Sequence, residues 1–297
     1  MVEKKLFIAE FMDGQALRHS LSMIPSENKR AAIFVDPSKI NINFQNDKKC
    51  AVYNMNINVA NLKHFEYDFR DPIANNLLPY WSVHFDSSDL HKATGKVGSK
   101  DKIILMAISK EGHQWLRVMV LKAKDNYETT GYSNIRISVN DPPTFYGAPE
   151  VPLDPKAKIT SQRFTAVCSL IVSMKSQVAE FIFHNNTMTL RGLDATKTIV
   201  HSIDFPYNSS LTDTDKVIEK MSDMNINDDE KPLMLTVLAT TIKNFSKINN
   251  ISLKTSIIKF YLHIVNNDNV VLIMKFPISN FGECTIVLKN SNIAVGQ

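Results

Sequence analysis

Ser-Val-Asn-Asp-Pro-Pro-Thr-Phe-Tyr-Gly-Ala-Pro-Glu-Val-Pro-Leu-Asp-Pro-Lys, residues 138–156, stands at the middle of the 297-residue chain. Five prolines (Pro142, Pro143, Pro149, Pro152 and Pro155) forbid a helix and forbid an inner strand of a sheet, because each removes a backbone donor and fixes φ. The stretch is therefore a connector. Proline at this density favours an extended path of about 3.1 Å per residue, so it can cross the outside of what it joins.

What it joins is one pattern written twice. Before it, a strand from Leu6 to Met12 leads into a helical pattern with Leu17, Leu21 and Ile24 on one face, ended by Pro25. Ala31 to Val35, the alternating Ile40 to Phe44 and the alternating Val52 to Val59 follow as strands. After the connector, a helical pattern from Ser161 places Phe164, Val167, Cys168 and Ile171 together, and Ala179 to Phe183, Thr187 to Leu190 and Thr198 to Phe205 repeat the strands. At an offset of about 150 residues Ile33 matches Phe181, Val35 matches Phe183, Ile40 matches Met188, Ile42 matches Leu190 and Val52 matches Val200.

A second unit repeats as well. Trp81 to His84, a helix with Leu90, Ala93 and Val97 inward, Lys102 to Met106 and Trp115 to Val120 correspond to Leu235 to Leu238, a helix with Ile242, Phe245 and Ile248, Ser256 to Phe260 and Val270 to Phe276. Two copies at this period make a duplicated domain rather than a solenoid. The expected class is α+β, with one domain over 1–139, a connecting loop over 140–158 and a second domain over 159–297. Ser209 to Lys231, rich in Asp and Glu, reads as a solvated loop or an acidic partner-binding flap.

Composition narrows the class. With 44% hydrophobic and 22% charged residues the chain is an ordinary globular protein, and no apolar run approaches the roughly 20 residues that span a bilayer. Glu10 and Asp13 interrupt the apolar N-terminus too early for a signal peptide, so secretion is not expected. Cys50, Cys168 and Cys284 are far apart and odd in number, which suits small core residues better than a disulfide framework.

The net charge of +4 is too small to identify a nucleic-acid binder, but its placement repeats. Arg18 and His19 lie off the first apolar stripe. Lys92 and Lys96 are i, i+4 neighbours beside His91, with Lys100 just beyond; Lys243 and Lys247 repeat the spacing, followed by Lys254. Such pairs put two ammonium groups on one helix face, and the same arrangement on equivalent helices builds a basic stripe suited to phosphates rather than to base edges. Each pair alone is most often a solvated face.

Phosphate-binding glycine loops, a dinucleotide fingerprint, a zinc-protease helix and a nucleophile elbow are all missing from the sequence. The best catalytic candidate is His184, Asp194, His201 and Asp204, a set able in principle to hold a divalent metal. Its members fall in turns and on opposite faces of one strand, so neither catalysis, a metal nor a cofactor is expected.

Taken in order, these segments resemble DNA sliding clamps of the proliferating cell nuclear antigen (PCNA) type. Phe7 to Ile24, Ile40-Asn41-Ile42 through Val52, Phe145-Tyr146-Gly147-Ala148-Pro149-Glu150, Pro232-Leu233-Met234-Leu235 through Lys247, and Val270 through Ile278 to Gly282 carry the likeness over nearly the whole chain. The resemblance implies a DNA clamp fold: two similar domains, antiparallel sheets outside, and helices lining an inner channel. It implies a homotrimeric ring closed head to tail by the strands near Tyr132 to Val139 and Thr196 to Asp204, encircling double-stranded DNA and serving replication and repair as a polymerase processivity factor.

The same resemblance implies a clamp loader and a DNA polymerase among the partners. Arg18, His19, His91, Lys92, Lys96, Lys100, Arg163, Lys175, Lys243, Lys247 and Lys254 are the expected DNA-facing residues. A partner-peptide pocket beneath the connecting loop falls on Cys50, Val52, Tyr146, Ala148, Pro149, Val271 and Val287.

The chain departs from such clamps in being slightly basic, in offering Thr165, Ala166, Ser169 and Ser173 on its third helix, and in ending Val287-Leu288-Lys289-Asn290 without the usual proline. The alternative is a clamp-fold monomer or dimer that binds DNA by charge or scaffolds transcription. The expected location is the nucleus or a cytoplasmic viral replication site, the divergence and the heavy use of Asn and Lys pointing to a virus or a fast-evolving lineage.

Overall fold

The structure is a computed structural model that describes residues 3–24, 31–46, 49–70, 75–138, 143–147, 149, 154–206, 232–266 and 269–290. Ala148, Glu150 and the acidic stretch 209–231 lie outside the described residues.

The first repeat runs β1 (Lys4–Phe11), α1 (Gly14–Leu21), β2 (Ala31–Val35), β3 (Lys39–Gln45), β4 (Ala51–Asn58), β5 (His64–Tyr67), β6 (Trp81–Phe85), α2 (Ser87–Thr94), β7 (Lys102–Lys110), β8 (His113–Leu121) and β9 (Thr129–Ser138). The second runs β10 (Ala157–Thr160), α3 (Ser161–Ser173), β11 (Val178–His184), β12 (Thr187–Leu193), β13 (Ile199–Pro206), β14 (Leu233–Leu238), α4 (Ala239–Phe245), β15 (Ile257–Asn266), β16 (Asn269–Ile278) and β17 (Gly282–Lys289). Apart from the edge strand β5, whose equivalent positions in the second repeat lie outside the described residues, the order is the same.

The duplication extends to the pairing. Ile33 faces Ile42 and Val35 faces Ile40 across β2 and β3, while Phe181 faces Leu190 and Phe183 faces Met188 across β11 and β12. Matched apolar residues thus occupy matched cross-strand positions, which is where sheet stability is set. Val52 and Val200 are the exception: a register shift at Gly192/Leu193 moves Val200 out of step.

All strand pairs are antiparallel. A 13-stranded sheet is ordered β10-β15-β16-β17-β4-β3-β2-β6-β9-β8-β7-β1-β5, and a separate four-stranded sheet is ordered β13-β12-β11-β14. The long sheet crosses from one repeat to the other where β17 pairs with β4, from Gly282 opposite Ile57 to Leu288 opposite Ala51. Alternation assigns the faces: Tyr53, Met55, Cys284, Ile286, Met274 and Phe260 point into one continuous core with Leu17, Leu90, Phe164, Ile171, Ile242 and Phe245 of the helices. The helices therefore cover one face of the wall, and the other face is left without them.

Helix starts are written locally. Asp13 Oδ1 accepts from the Ala16 amide at 2.8 Å and Asp86 Oδ1 from the Ser88 amide at 2.8 Å, while the Thr160 hydroxyl caps α3. The helices are shorter than the apolar patterns suggest. α1 tightens past Leu21 into i→i−3 bonds at Met23 and Ile24, and α2 ends at Thr94, so Val97 is buried from a loop. α4 stops at Phe245, and Ile248 begins a separate 3-10 turn.

Candidate nucleic-acid interface and peptide groove

On the helix face α1 packs against α2, α3 against α4, and α1 also meets the 3-10 turn after α4. The basic residues expected there divide by what holds their charged heads. Arg18 Nη1 donates to the Val97 carbonyl at 2.9 Å, and His91 Nε2 lies 3.2 Å from the Leu21 carbonyl. Lys247 Nζ donates to the Ser22 carbonyl at 3.1 Å. The last carbonyls of α1, the negative end of its dipole, are thus held by cation-forming groups from both repeats. Burial, and then the neighbouring Lys243, hold the Lys247 pKa below its ordinary value. Burial, followed by Arg18, lowers that of His19.

Lys92 is well exposed and lies 3.4 Å from Asp89. Lys96, Lys100, Lys175, Lys243 and Lys254 are exposed, and among the described residues their ammonium groups make no hydrogen bond or ion pair. Arg163 is exposed, its guanidinium 5.1 Å from the ring of Phe205. The two i, i+4 pairs do not lie on single helices, because α2 and α4 end before Lys96 and Lys247.

The loop presenting Lys96 and Lys100 is fixed from behind. Lys122 Nζ donates to the Lys96 carbonyl and to Asp101 Oδ2, the latter at 2.7 Å, and the Asp101 carboxylate also accepts from the amides of Gly98 and Ala123. Burial pushes the Asp101 pKa up, but Lys122 and those amides together outweigh it and hold the carboxyl at about 2. Sequence reasoning passed over this lock because Asp101, just before β7, and Lys122, just after β8, are 21 residues apart and are brought together only by the pairing of those strands.

On the opposite face, Val52, Tyr261, Val271, Ile273 and Val287 form an apolar cluster separate from the main core. Register explains it: Tyr261, Ile273, Val287 and Val52 are successive neighbours across β15, β16, β17 and β4. Tyr261 and Ile273 are additions to the expected pocket residues, and all five members are at most 7% exposed, so the floor is closed. Cys50 is buried beside it, its sulfur accepting from Asn46 at 3.2 Å.

The connector crosses next to this cluster. Asn43 clamps the Tyr146 peptide on both sides, Nδ2 donating to the carbonyl at 3.0 Å and Oδ1 accepting from the amide at 3.2 Å. Phe145 sets its ring edge-on to Phe34 at 5.3 Å. Tyr146 is exposed and Pro149 half-buried. A concavity of about 640 Å³ lies at the other end of the β17–β4 seam, lined by Ser38, Lys39, Asn56, Asn58, Ser279 and Glu283 rather than by the expected pocket residues.

Among the described residues the outermost strands of the two sheets are β5, β10, β13 and β14, and β9 is open along much of one side. β13 pairs only with β12, while β9 pairs with β8 along most of its length and with β6 only through Ile137 and Ser138. Tyr132 on β9 is 60% exposed and Ile199 on β13 is 51% exposed, so each edge presents an apolar side chain.

His184, Asp194, His201 and Asp204 do not converge. The Asp194 carboxylate accepts from the amides of Thr196 and Thr198 and from the Thr196 hydroxyl, closing a turn, and Asp204 accepts from Thr189. Among the described residues no three His, Cys, Asp or Glu side chains are grouped to hold a metal, and no helix is long and apolar enough to cross a membrane.

No protein-family model matches the sequence, and no curated protein matches it. Solved structures do match the fold. The proliferating cellular nuclear antigen of Entamoeba histolytica superposes with a TM-score of 0.66 at 12% identity, covering 96% of this chain and 99% of its own. A chain of the PCNA2–PCNA3 complex of Sulfolobus tokodaii gives 0.67 at 13% identity, covering 96% and 100%. The chain has the PCNA-type clamp fold over essentially its full length.

Proposed function

We propose that this chain is the subunit of a DNA sliding clamp, a non-catalytic processivity factor that closes into a ring of three around duplex DNA. Its clamp domains are taken as 1–139 and 159–297, joined by the loop over 140–158. The observation carrying this reading is that β9 and β13, two of the chain's open strand edges, each present an exposed apolar side chain, on a chain whose helices all cover one face of the wall. Joining β9 of one copy to β13 of the next removes exposed edges and closes head to tail, the heterologous contact that makes rings. The helix face then meets DNA through Lys96, Lys100, Arg163, Lys175, Lys243 and Lys254, whose heads are exposed. Arg18, His91, Lys92 and Lys247 have other partners and shape that face.

A polymerase and other partners dock a short apolar segment over Val52, Tyr261, Val271, Ile273 and Val287 beside the connector, and a loader opens the ring. The setting is replication and repair, in the nucleus or at a cytoplasmic viral replication site.

The test is solution mass by light scattering, with retention on nicked circular DNA before and after linearisation. A mass about three times that of the chain, with retention lost on cutting, is the expected result. A monomer that leaves circular and linear DNA alike as salt rises would refute the ring and leave charge-based binding.

A further inference from the structure

Three lysines from three strands form one row on the helix-free face. Lys158 of β10 lies directly opposite Lys259 of β15, which lies directly opposite Lys275 of β16. Opposed residues share a face with Cβ atoms about 5 Å apart, and like charges so placed repel. Lys158 and Lys259 are exposed and Lys275 is half-exposed, and among the described residues none of the three has a carboxylate within ion-pair distance. Lysine on β10 alone would be ordinary, because β10 is a sheet edge and lysine discourages edge pairing. Lys259 and Lys275 stand on interior strands, where that reason does not apply.

The row's position gives it a use. Two residues further along the same strands, about 7 Å away, runs the apolar row of Tyr261, Ile273, Val287 and Val52. Beyond it come His263, Val271 and Lys289, again in register. The apolar row is therefore bordered by three ammonium groups on one side and by His263 and Lys289 on the other. Among the described residues, the carboxylates that stand against these are Glu283, one row past the lysines, and Asp154, both near Tyr261.

We infer that the partner segment received on this face carries acidic side chains beside its apolar anchors, and that Lys158, Lys259 and Lys275 read them. This rests on the peptide-groove reading proposed above. The lysine row spans three adjacent strands, about 10 Å, between the apolar row and Glu283. A short acidic flank fits that width. A nucleic-acid backbone continuing past it would meet either apolar side chains or Glu283.

The test uses two short fluorescein-labelled peptides with one common core, Ile-Leu-Ser-Phe-Phe, flanked by several glutamates in one and several lysines in the other. Fluorescence anisotropy against the full chain should show the glutamate peptide binding about tenfold more tightly at low salt, an advantage that shrinks as salt rises. Lys158→Gln, Lys259→Gln and Lys275→Gln together should erase the preference, and the three changes to Glu should reverse it. The Gln variant should melt close to the parent, since it removes the repulsion along the row while giving up the Lys275–Tyr261 ring contact at 5.8 Å, and the Glu variant, again a row of like charges, should melt no higher than the Gln variant.

Equal affinity for the two peptides would overturn the inference while leaving the groove standing, and so would a preference that survives the Gln variant. Binding of neither peptide would overturn the groove reading and this inference with it. A short single-stranded oligonucleotide that binds the parent and is lost in the Gln variant, with the peptides undiscriminated, would assign the row to nucleic acid and overturn the acidic-peptide reading.

Discussion

Gly282→Ala tests the seam that holds the two repeats together. A Cβ at this position would sit 2.2 Å from the Asn56 carbonyl oxygen and 3.1 Å from the Ile57 Cα, both backbone atoms of β4. No rotamer change relieves a clash with backbone, so β17 and β4 must part by roughly 1 Å to reach ordinary contact. Parting weakens the Gly282–Ile57 pairing and the neighbouring bond from the Asn58 amide to the Phe281 carbonyl, 2.9 Å long.

One weakened hydrogen bond at about 1 kcal/mol and overpacking at about 1–3 kcal/mol give a loss of roughly 2–4 kcal/mol. For a chain of this size that lowers the melting temperature by roughly 3–6 °C. Circular dichroism melts and urea titrations of the parent, Gly282→Ala and Gly147→Ala would measure it. The last is a control, because a Cβ there meets only Phe145 Cε1 at 3.7 Å. If Gly282→Ala melted with the control, the close approach at the seam would be wrong.

The remaining predictions concern charge and edges. Asp101, held at about 2 against an ordinary 3.8, stabilises the fold fully above its unfolded value, and this contribution of about 2 kcal/mol fades as pH falls from about 4 toward 2. The stability gap between parent and Asp101→Asn in urea should therefore close over that window; a gap constant down to pH 2 would count against the Lys122 lock. Lys243→Ala should lower the salt slope of DNA binding by about 1, and Lys247→Ala by less, because the Lys247 ammonium already serves the Ser22 carbonyl. Equal slopes would contradict that division. Ile199→Glu on β13 should reduce the mass in solution to that of a single chain without lowering the melting temperature of that chain, since Ile199 is half exposed there; an unchanged oligomer would exclude this edge from the contact.

Much of the fold could be read from the residues because the repeat constrained it. The matched pairs Ile33/Phe181 and Ile42/Leu190 named the strands, and the structure puts them at equivalent cross-strand positions, Ile33 opposite Ile42 and Phe181 opposite Leu190. Helix ends were less legible, since burial of Val97 and Ile248 continues the 3.6-residue pattern after the helices have stopped. Tyr261 and Ile273 were hidden because each lies in a short stretch, Phe260 to Leu262 and Val270 to Met274, that is apolar at every position, so alternation there does not separate the two faces. The lysine row was invisible for a different reason: 158, 259 and 275 are brought together only by register, which the hydrophobic pattern of such strands does not fix. β5, four residues at a sheet edge, carried too short a pattern to stand out.

The seam between β17 and β4 also has a mechanical meaning. Because backbone hydrogen bonds run across it, the two repeats share one wall and have no linker about which to swing; the connector lies on that wall, tied at Asn43, rather than spanning a gap. In a ring of such subunits the compliant places are the joints between copies, where one edge strand meets another. A loader would then open the ring by unzipping a single joint, and the strength of that joint would set how long a closed ring persists.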